Sequence, residues 1–273
     1  MTRRFEGRRV LVTGASRGIG AAIAERLAAE GAAVAITARS LEPGDHHLAG
    51  SLSETADRLR GYGGTVAVIV ADLTDPDDRA RIVPEAVEAL GGPIEILVNN
   101  AAAAMYMPLA DYPLKRRHIV FEANVHAPLD LAQDVIPAMR DAGEGWIVNL
   151  SSGSARLWEG PPFTLGTQGS TITVYGASKA ALNRITNGLA AELDGTGIRV
   201  NSVEPRAAVL SEGADELVGS KLRPDQIESM EEMVEGTIVL CDCPTEVTGR
   251  ISVSLDNIAE WDLTVHGLDG MPQ

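Results

Sequence analysis

Apolar residues in this chain follow two spacings. Most of seven short runs, at residues 10–13, 33–38, 65–70, 94–99, 146–150, 199–203 and 251–255, are continuous in Val, Ile, Leu and Ala. That is how strands covered on both faces read. Between them, residues 19–30, 53–61, 76–90, 129–142, 177–193 and 225–240 place apolar side chains every three or four positions and predict amphipathic helices. In the last of these, Ile227, Met230, Val234, Ile238 and Cys241 share one face, and Glu228, Glu231, Glu232 and Glu235 form the other. Regular alternation of strand and helix predicts βαβ units, hence a mostly parallel sheet with helices on both sides. No linker, repeat or low-complexity tract divides the chain, so residues 1–273 read as a single doubly wound α/β domain of about seven strands. Residues 40–52 and 157–173 read as insertions, the second rich in Gly, Pro and Thr with Trp158 and Phe163 as its aromatic residues.

Composition narrows the setting. The 273 residues carry 38 acids against 23 Lys and Arg, a net charge of −15, and are 45% apolar, which excludes a disordered chain. An acidic surface repels phosphate backbones and anionic lipid, so neither nucleic acid nor a membrane is expected as a partner. No apolar run approaches the ~18–20 residues of a membrane span. Val10, Leu11 and Val12 are too few for a signal-peptide core, so a cytoplasmic location is expected. Cys241 and Cys243 are expected as small apolar side chains at a helix end rather than a metal site, and His46-His47 as a solvated loop pair. Charge is uneven: residues 204–246 hold eleven acids against three bases, expected to be a solvated helix face beside a polar loop.

The candidate chemistry starts where the first strand runs into Thr13-Gly14-Ala15-Ser16-Arg17-Gly18-Ile19-Gly20 and then into a helix. Glycines let the backbone turn tightly and approach a pyrophosphate, and the helix start offers free N–H groups. After the second strand a carboxylate would hold a ribose 2′-OH; this chain instead reads Ala38-Arg39-Ser40. Arg39 with Arg17 suits a 2′-phosphate, which favours NADP over NAD. Asp72-Leu73 and Asn99-Asn100-Ala101 follow the third and fourth strands, at the edge where open α/β sheets bind ligands. The fifth strand ends in Ser151-Ser152, and downstream Tyr175 and Lys179 stand four apart on one helix face. An ammonium beside a phenol favours the phenolate and moves its pKa from ~10 towards neutrality.

In this order, Thr-Gly-x-x-x-Gly-x-Gly, Asn-Asn-Ala, Ser and Tyr-x-x-x-Lys resemble the compact single-domain branch of the short-chain dehydrogenase/reductase family, from about Arg8 to Asp256. The resemblance implies a Rossmann-type fold and an NADP(H)-dependent oxidoreductase moving a hydride between nicotinamide and a carbonyl or secondary alcohol. It makes Tyr175 the general acid and base at the substrate oxygen, and Lys179 the group that lowers the Tyr175 pKa and binds the nicotinamide ribose. Ser152 becomes the hydroxyl that polarises the carbonyl, with Ser151 and Ser154 as weaker candidates. Asn124 becomes the residue holding a helix kink and a water that relays protons towards Lys179. The implied cofactor set is Gly14, Ser16, Arg17, Gly18, Ile19, Gly20, Arg39, Asp72, Leu73, Asn99, Ala101, Tyr175, Lys179 and Pro205, with no metal. Asp72 would bind the adenine amino group.

The chain departs from the family pattern at Ala102, at Arg206 after Pro205, and at Asn257-Ile258 after Asp256, where glycines are usual. Residues 204–224 are expected to form the substrate-loop region, 157–173 a long insertion before the Tyr/Lys helix, and 257–273 an atypical tail. A pocket built from Leu157, Trp158, Phe163, Met105, Tyr106 and residues 206–217 would suit a hydrophobic small-molecule carbonyl or alcohol. The resemblance also implies a homotetramer or homodimer formed through the helices at 129–142 and 177–193. The alternative is a non-catalytic NADP-binding protein that senses redox state or serves as a scaffold. Four separated polar residues in matching positions, Asn124, Ser152, Tyr175 and Lys179, speak against that alternative.

Overall fold

A computed structural model describes residues 3–163, 169–206, 208–212 and 227–272. Its centre is a seven-stranded sheet of β1 (Arg9–Thr13), β2 (Ala33–Ala38), β3 (Val66–Val70), β4 (Ile96–Asn99), β5 (Gly145–Leu150), β6 (Ile198–Glu204) and β9 (Ile251–Val253). The spatial order is β3-β2-β1-β4-β5-β6-β9, and every pairing in it is parallel. The order reverses between β1 and β4, so their carboxyl ends open the crevice where such sheets take ligands. The seven predicted strands are thus present, each within a residue or two of its expected bounds.

Side chains along β1 alternate between the faces. Val10 and Val12 join a core with Ile23 and Leu27 of α1 (Gly18–Ala29), Leu52 and Leu59 of α2 (Leu52–Arg60), and Met233 and Ile238 from the later part of the chain. Leu11 joins the opposite core, with Ile82 of α3 (Pro76–Leu90) and Leu131 and Val135 of α5 (Ala127–Ala142). The helix α3 starts where Asp75 accepts a hydrogen bond from the Asp77 N–H and Pro76 fills the first position, and it ends at Gly91 with φ +72°. The long helix carrying Tyr175 and Lys179 is α6 (Thr173–Glu192).

Three sequence expectations change. Two helices were not visible in the pattern: α4 (Leu114–Phe121), whose start is polar and cationic, and α8 (Ser254–Glu260), which takes over the end of the predicted strand at 251–255. The predicted helix at 225–240 begins only at Met230, as α7 (Met230–Ile238), where Ser229 and Glu232 form a capping box. Its residues 225 and 226 lie outside the described residues, and Ile227–Glu228 is instead a short strand, β8, paired with β7 (Ala208–Val209).

The expected solvated acidic face is the third correction. Glu204, Glu228 and Glu235 are buried. Glu235 meets the guanidinium of Arg26, which also pairs with Glu30. Arg156 donates to Glu204, and the Arg206 N–H and the Ser254 hydroxyl donate to Glu228. Each carboxylate has a donor from a distant segment, which is what lets it leave water. Cys241 and Cys243 are free, buried thiols at the end of the α7 segment, and burial pushes both above their ordinary pKa.

Candidate active site

The loop after β1 is shaped by what surrounds it. Gly14 has φ +67°, and a Cβ there would stand 2.7 Å from Ala101 Cα. A Cβ on Gly20 would meet Gly14 O at 2.5 Å and press still closer on the Asn100 amide. That amide donates to Thr13 O and Gly14 O, while the Thr13 hydroxyl accepts from the N–H groups of Asn100 and Ala101. The β4 end is therefore bolted to the glycine loop by Thr13 and Asn100, which belong to the quoted motifs but not to the expected cofactor set. Helix α1 starts at Gly18 with no side-chain cap and no acid in its first turn, leaving its N–H groups and positive dipole end for an anion. Ser16 and Ile19 flank this start, Ser16 buried and Ile19 packed against the core.

A cofactor with a pyrophosphate fits this cradle: it lacks room for side chains and it keeps uncapped donors. The residues expected at the adenosine end follow β2 and β3. Arg39 is 64% exposed and its guanidinium stands 3.9 Å from the Asp72 carboxylate, a loose surface pair. Arg17 is committed differently. Its guanidinium donates to Ala49 O and Gly50 O at 2.7 and 2.8 Å, bracing the insertion at residues 40–52 against the loop. Asp72 accepts from both the N–H and the hydroxyl of Thr74, and Leu73 is buried beside it.

Asn99 is buried in the sheet. Its amide donates to Asn149, which donates to Thr186 on α6, while Asn99 Oδ1 has no partner among the described residues. The Ser151 hydroxyl is likewise buried and unpartnered. Unsatisfied polar atoms at strand ends are costly unless a ligand or water completes them.

The reactive groups converge at the ends of β5 and α6. Tyr175 is buried, with the Ser152 side chain near enough to act on its phenol. Burial pushes the phenol above its ordinary value; Tyr106, edge-on to the ring at 5.7 Å, adds to the rise, and Ser152 opposes it. Ser152 Oγ also accepts from the N–H and hydroxyl of Ser154. The Lys179 ammonium lies 6.0 Å from the Tyr175 ring centroid and donates to Leu150 O at 2.7 Å. Burial lowers its pKa to about 8.

Asn124 occupies a π-helical turn, Glu122–His126, between α4 and α5, an irregularity in the helix where a kink was expected. Its amide brackets the Ala103 backbone, accepting from the N–H at 2.7 Å and donating to the carbonyl at 3.1 Å, and donates to the Ser178 hydroxyl. Asn124 thus ties the segment after β4 to the helix of Tyr175 and Lys179. Pro205 follows β6, and the next N–H, that of Arg206, is held by Glu228 at 2.8 Å. Of the expected pocket residues, Leu157 is 94% exposed and Trp158 and Phe163 line open surface, whereas Tyr106 closes on Tyr175. Residue 207 and residues 213–217 of that pocket lie outside the described residues.

Comparison with known proteins agrees with this geometry. The family model described as short chain dehydrogenase matches residues 8–217. The chain belongs to the short-chain dehydrogenase/reductase family. A short chain dehydrogenase of Pseudocercospora fijiensis is 34% identical over 234 residues, covering 85% of this chain and 70% of that protein. A fatty acyl-CoA reductase of Mycobacterium tuberculosis is 34% identical over 195 residues, 70% of this chain and 60% of that one. The crystal structure of a 3-oxoacyl-(acyl-carrier-protein) reductase of Agrobacterium tumefaciens with NADP bound superposes with a TM-score of 0.75 at 28% identity, covering 92% of this chain and 94% of that one. Among curated relatives the chain spans from half to 70% of their length. Its relatives in this family are dehydrogenases and reductases, and some bind NADP. No helix among the described residues is long and apolar enough to cross a membrane.

Proposed function

We propose that the protein is an NADP(H)-dependent oxidoreductase interconverting a carbonyl and a secondary alcohol on a hydrophobic small molecule. The observation that carries this reading is the buried Tyr175 phenol near the Ser152 side chain, with the Lys179 ammonium 6.0 Å from its ring centroid. Two hydroxyls aimed at one point can bind a carbonyl oxygen together. In reduction Tyr175 gives its proton to that oxygen while Ser152 holds it in line; in oxidation Tyr175 takes the proton back. NADP, when bound, exchanges a hydride with the carbon of the same group. The pKa directions are in keeping with these roles: burial keeps the phenol protonated, with a proton to give, and brings the lysine to about 8. Asn124 serves as a positioning residue between Ala103 and Ser178.

The 2′-phosphate is assigned to Arg39, whose guanidinium is exposed at the end of β2 and only loosely held by Asp72. Arg17 supports that end by fixing the neighbouring loop. A groove of about 730 Å³ between α5 and α6, lined by Leu129, Ile136, Ile185 and Leu189, supports assembly as a homodimer or homotetramer. The test is NADPH oxidation across a panel of ketones and aldehydes, with Tyr175→Phe alongside. Turnover by the wild type, a loss of at least three orders of magnitude in Tyr175→Phe and retained NADPH binding are expected. Equal rates in the two proteins would remove Tyr175 from the chemistry.

A further inference from the structure

The buried face of α3 is formed by positions 79, 82, 83 and 86, at three- and four-residue steps. Ile82, Val83 and Ala86 are what such a stripe calls for. Arg79 opens it with a guanidinium, and its side chain is only 6% exposed. A charge at a core position is tolerated where acceptors replace the water it gives up. Three acceptors meet this one. Arg79 Nη1 donates to Leu73 O at 2.9 Å and to Glu122 at 2.8 Å, and Nε donates to Asp130 at 2.7 Å. An apolar side chain would have continued the stripe without needing any of them, so packing gives no reason for an arginine.

The places of its partners do. Leu73 follows Asp72 after β3, in the segment expected to hold the adenine, and the Asp72 N–H is itself held by Asp78 of α3 at 2.7 Å. Glu122 is the first residue of the π-helical turn, and Asp130 lies in the first turn of α5. One guanidinium therefore grips both sides of the turn that carries Asn124. A π-turn closes with one residue more than an α-helical turn and is rare. Relaxing it to α-helix would rotate α4 against α5 by about 100°. Asn124 would then leave the Ala103 backbone and the Ser178 hydroxyl, which it meets at 2.7 to 3.1 Å. Ser178 in turn donates to Tyr175 O at 2.6 Å. Contacts thus run from Leu73 to the backbone of Tyr175, and Arg79 joins the two ends.

We propose that Arg79 is a positioning residue of the oxidoreductase: by holding Leu73 O and the π-turn together, it couples the seating of the cofactor's adenosine half to the setting of Asn124. The proposal rests on the roles given above to Asn124, Tyr175 and the cofactor crevice. Such coupling is reciprocal in binding. A ligand that orders the Leu73 segment orders the turn, and loosening the turn weakens that ligand. Arginine suits the task because its planar fork fixes the direction of each bond, whereas a lysine ammonium is a single point of charge.

The experiment compares wild type with Arg79→Met, Arg79→Lys and Glu122→Ala. Methionine fills the buried stripe without the guanidinium, and Glu122→Ala removes the grip on the turn alone. The ligand is adenosine 2′,5′-bisphosphate, the adenosine half of NADP, which undergoes no turnover. In the wild type its binding should slow amide hydrogen exchange, read by mass spectrometry, in peptides covering residues 101–105 and 119–128. In Arg79→Met and Glu122→Ala exchange there should not respond, and equal slowing in all three proteins overturns the proposal. Calorimetry should find the bisphosphate bound at least fivefold more weakly by Arg79→Met; unchanged affinity also overturns it. In carbonyl reduction Arg79→Met should lower kcat at least tenfold in the wild-type background but less than twofold in Asn124→Ala, since both act through one group. Losses that multiply would reduce Arg79 to a stabiliser of the fold and overturn the proposal. Arg79→Lys keeps the charge and replaces Arg79→Met in every comparison if the methionine variant does not fold, with the same outcomes deciding. Absence of turnover on every carbonyl would instead overturn the catalytic reading, with the exchange comparison still deciding this one.

Discussion

Replacing Lys179 with Met separates what this residue does for chemistry from what it does for folding. The ammonium is only 2% exposed and has one hydrogen-bond partner among the described residues, Leu150 O at 2.7 Å. Burial takes its pKa from 10.5 to about 8. At ~1.36 kcal/mol per pH unit, folding around a protonated Lys179 costs roughly 3 kcal/mol at pH 7. Methionine removes that cost but leaves Leu150 O without its donor, a loss of ~1–3 kcal/mol. The ligand-free variant should therefore be as stable as wild type, or up to ~2 kcal/mol more stable, at pH 6.5.

The sign of the pH dependence is the sharper result. The folded-state pKa lies below the unfolded-state value, so the penalty is complete below about 8 and is relieved as pH rises towards 10.5. Over that window the wild type should gain roughly 3 kcal/mol on the variant, which has no group to titrate there. Urea unfolding followed by circular dichroism at pH 6.5, 8, 9.5 and 10.5 measures the difference directly. A stability difference that stays flat across these values would refute the reasoning, as would a variant more than ~1 kcal/mol less stable at pH 6.5. Turnover by Lys179→Met should be lost at every pH.

Three further outcomes follow from the geometry. Arg39→Asp should weaken NADPH at least tenfold and NADH far less, and comparable losses in fluorescence titrations would remove the 2′-phosphate assignment. Gly20→Ala drives a methyl into Gly14 O and the Asn100 amide; NADPH binding should disappear, with ~1–3 kcal/mol of stability lost in urea melts. Arg26→Met leaves Glu30 and Glu235 buried without their guanidinium, a cost of ~3–5 kcal/mol and, at ~2–4 °C per kcal/mol, a Tm lower by roughly 10 °C. A calorimetric drop under ~3 °C would contradict the view of Arg26 as the partner that makes two buried carboxylates tolerable.

What could be read in the sequence was what local pattern encodes. Continuous runs of Val, Ile, Leu and Ala located most of the sheet strands, because strands buried on both faces admit little else; the edge strand β9, Ile251-Ser252-Val253, alternates and is partly exposed. The glycine loop and the Tyr175, Lys179 and Ser152 groups stood out through spacing tied to elements. The rest depends on tertiary partners. Helix α4 escaped because its first residues are Leu114-Lys115-Arg116-Arg117, without a cap or an apolar stripe to announce it. The acids at 228 and 235 looked solvated because helical spacing places them opposite Met230 and Val234. Only the fold reveals Arg26 and Ser254 across from them. Tyr106 was expected in the pocket, but only the fold shows its ring packed edge-on against Tyr175. The Lys–Tyr pairing was expected to lower the phenol's pKa. In the ligand-free chain the lysine turns to Leu150 O, and burial moves the phenol the other way.

One departure from the family pattern, Arg206, reaches Asp256, the residue just before another. Arg206 stands where a glycine is usual, and Asn257 stands where another is usual after Asp256. The Arg206 guanidinium pairs with Asp256, and the Asn257 amide donates to Gly236 O and the Ser252 hydroxyl. Both partners of the ion pair are more than half exposed, so the pair itself contributes little. The firmer restraint is the Arg206 N–H on Glu228, which Ser254 also grips at the start of α8. A residue without a side chain at 206 would keep that N–H bond, whereas a proline would lose it. The path of the chain after β6 is therefore set by Glu228 and the backbone at 206. Three of the eleven acids in residues 204–246 lie inside the protein, and one of them, Glu228, holds the segment that leads from β6 to the expected substrate loop.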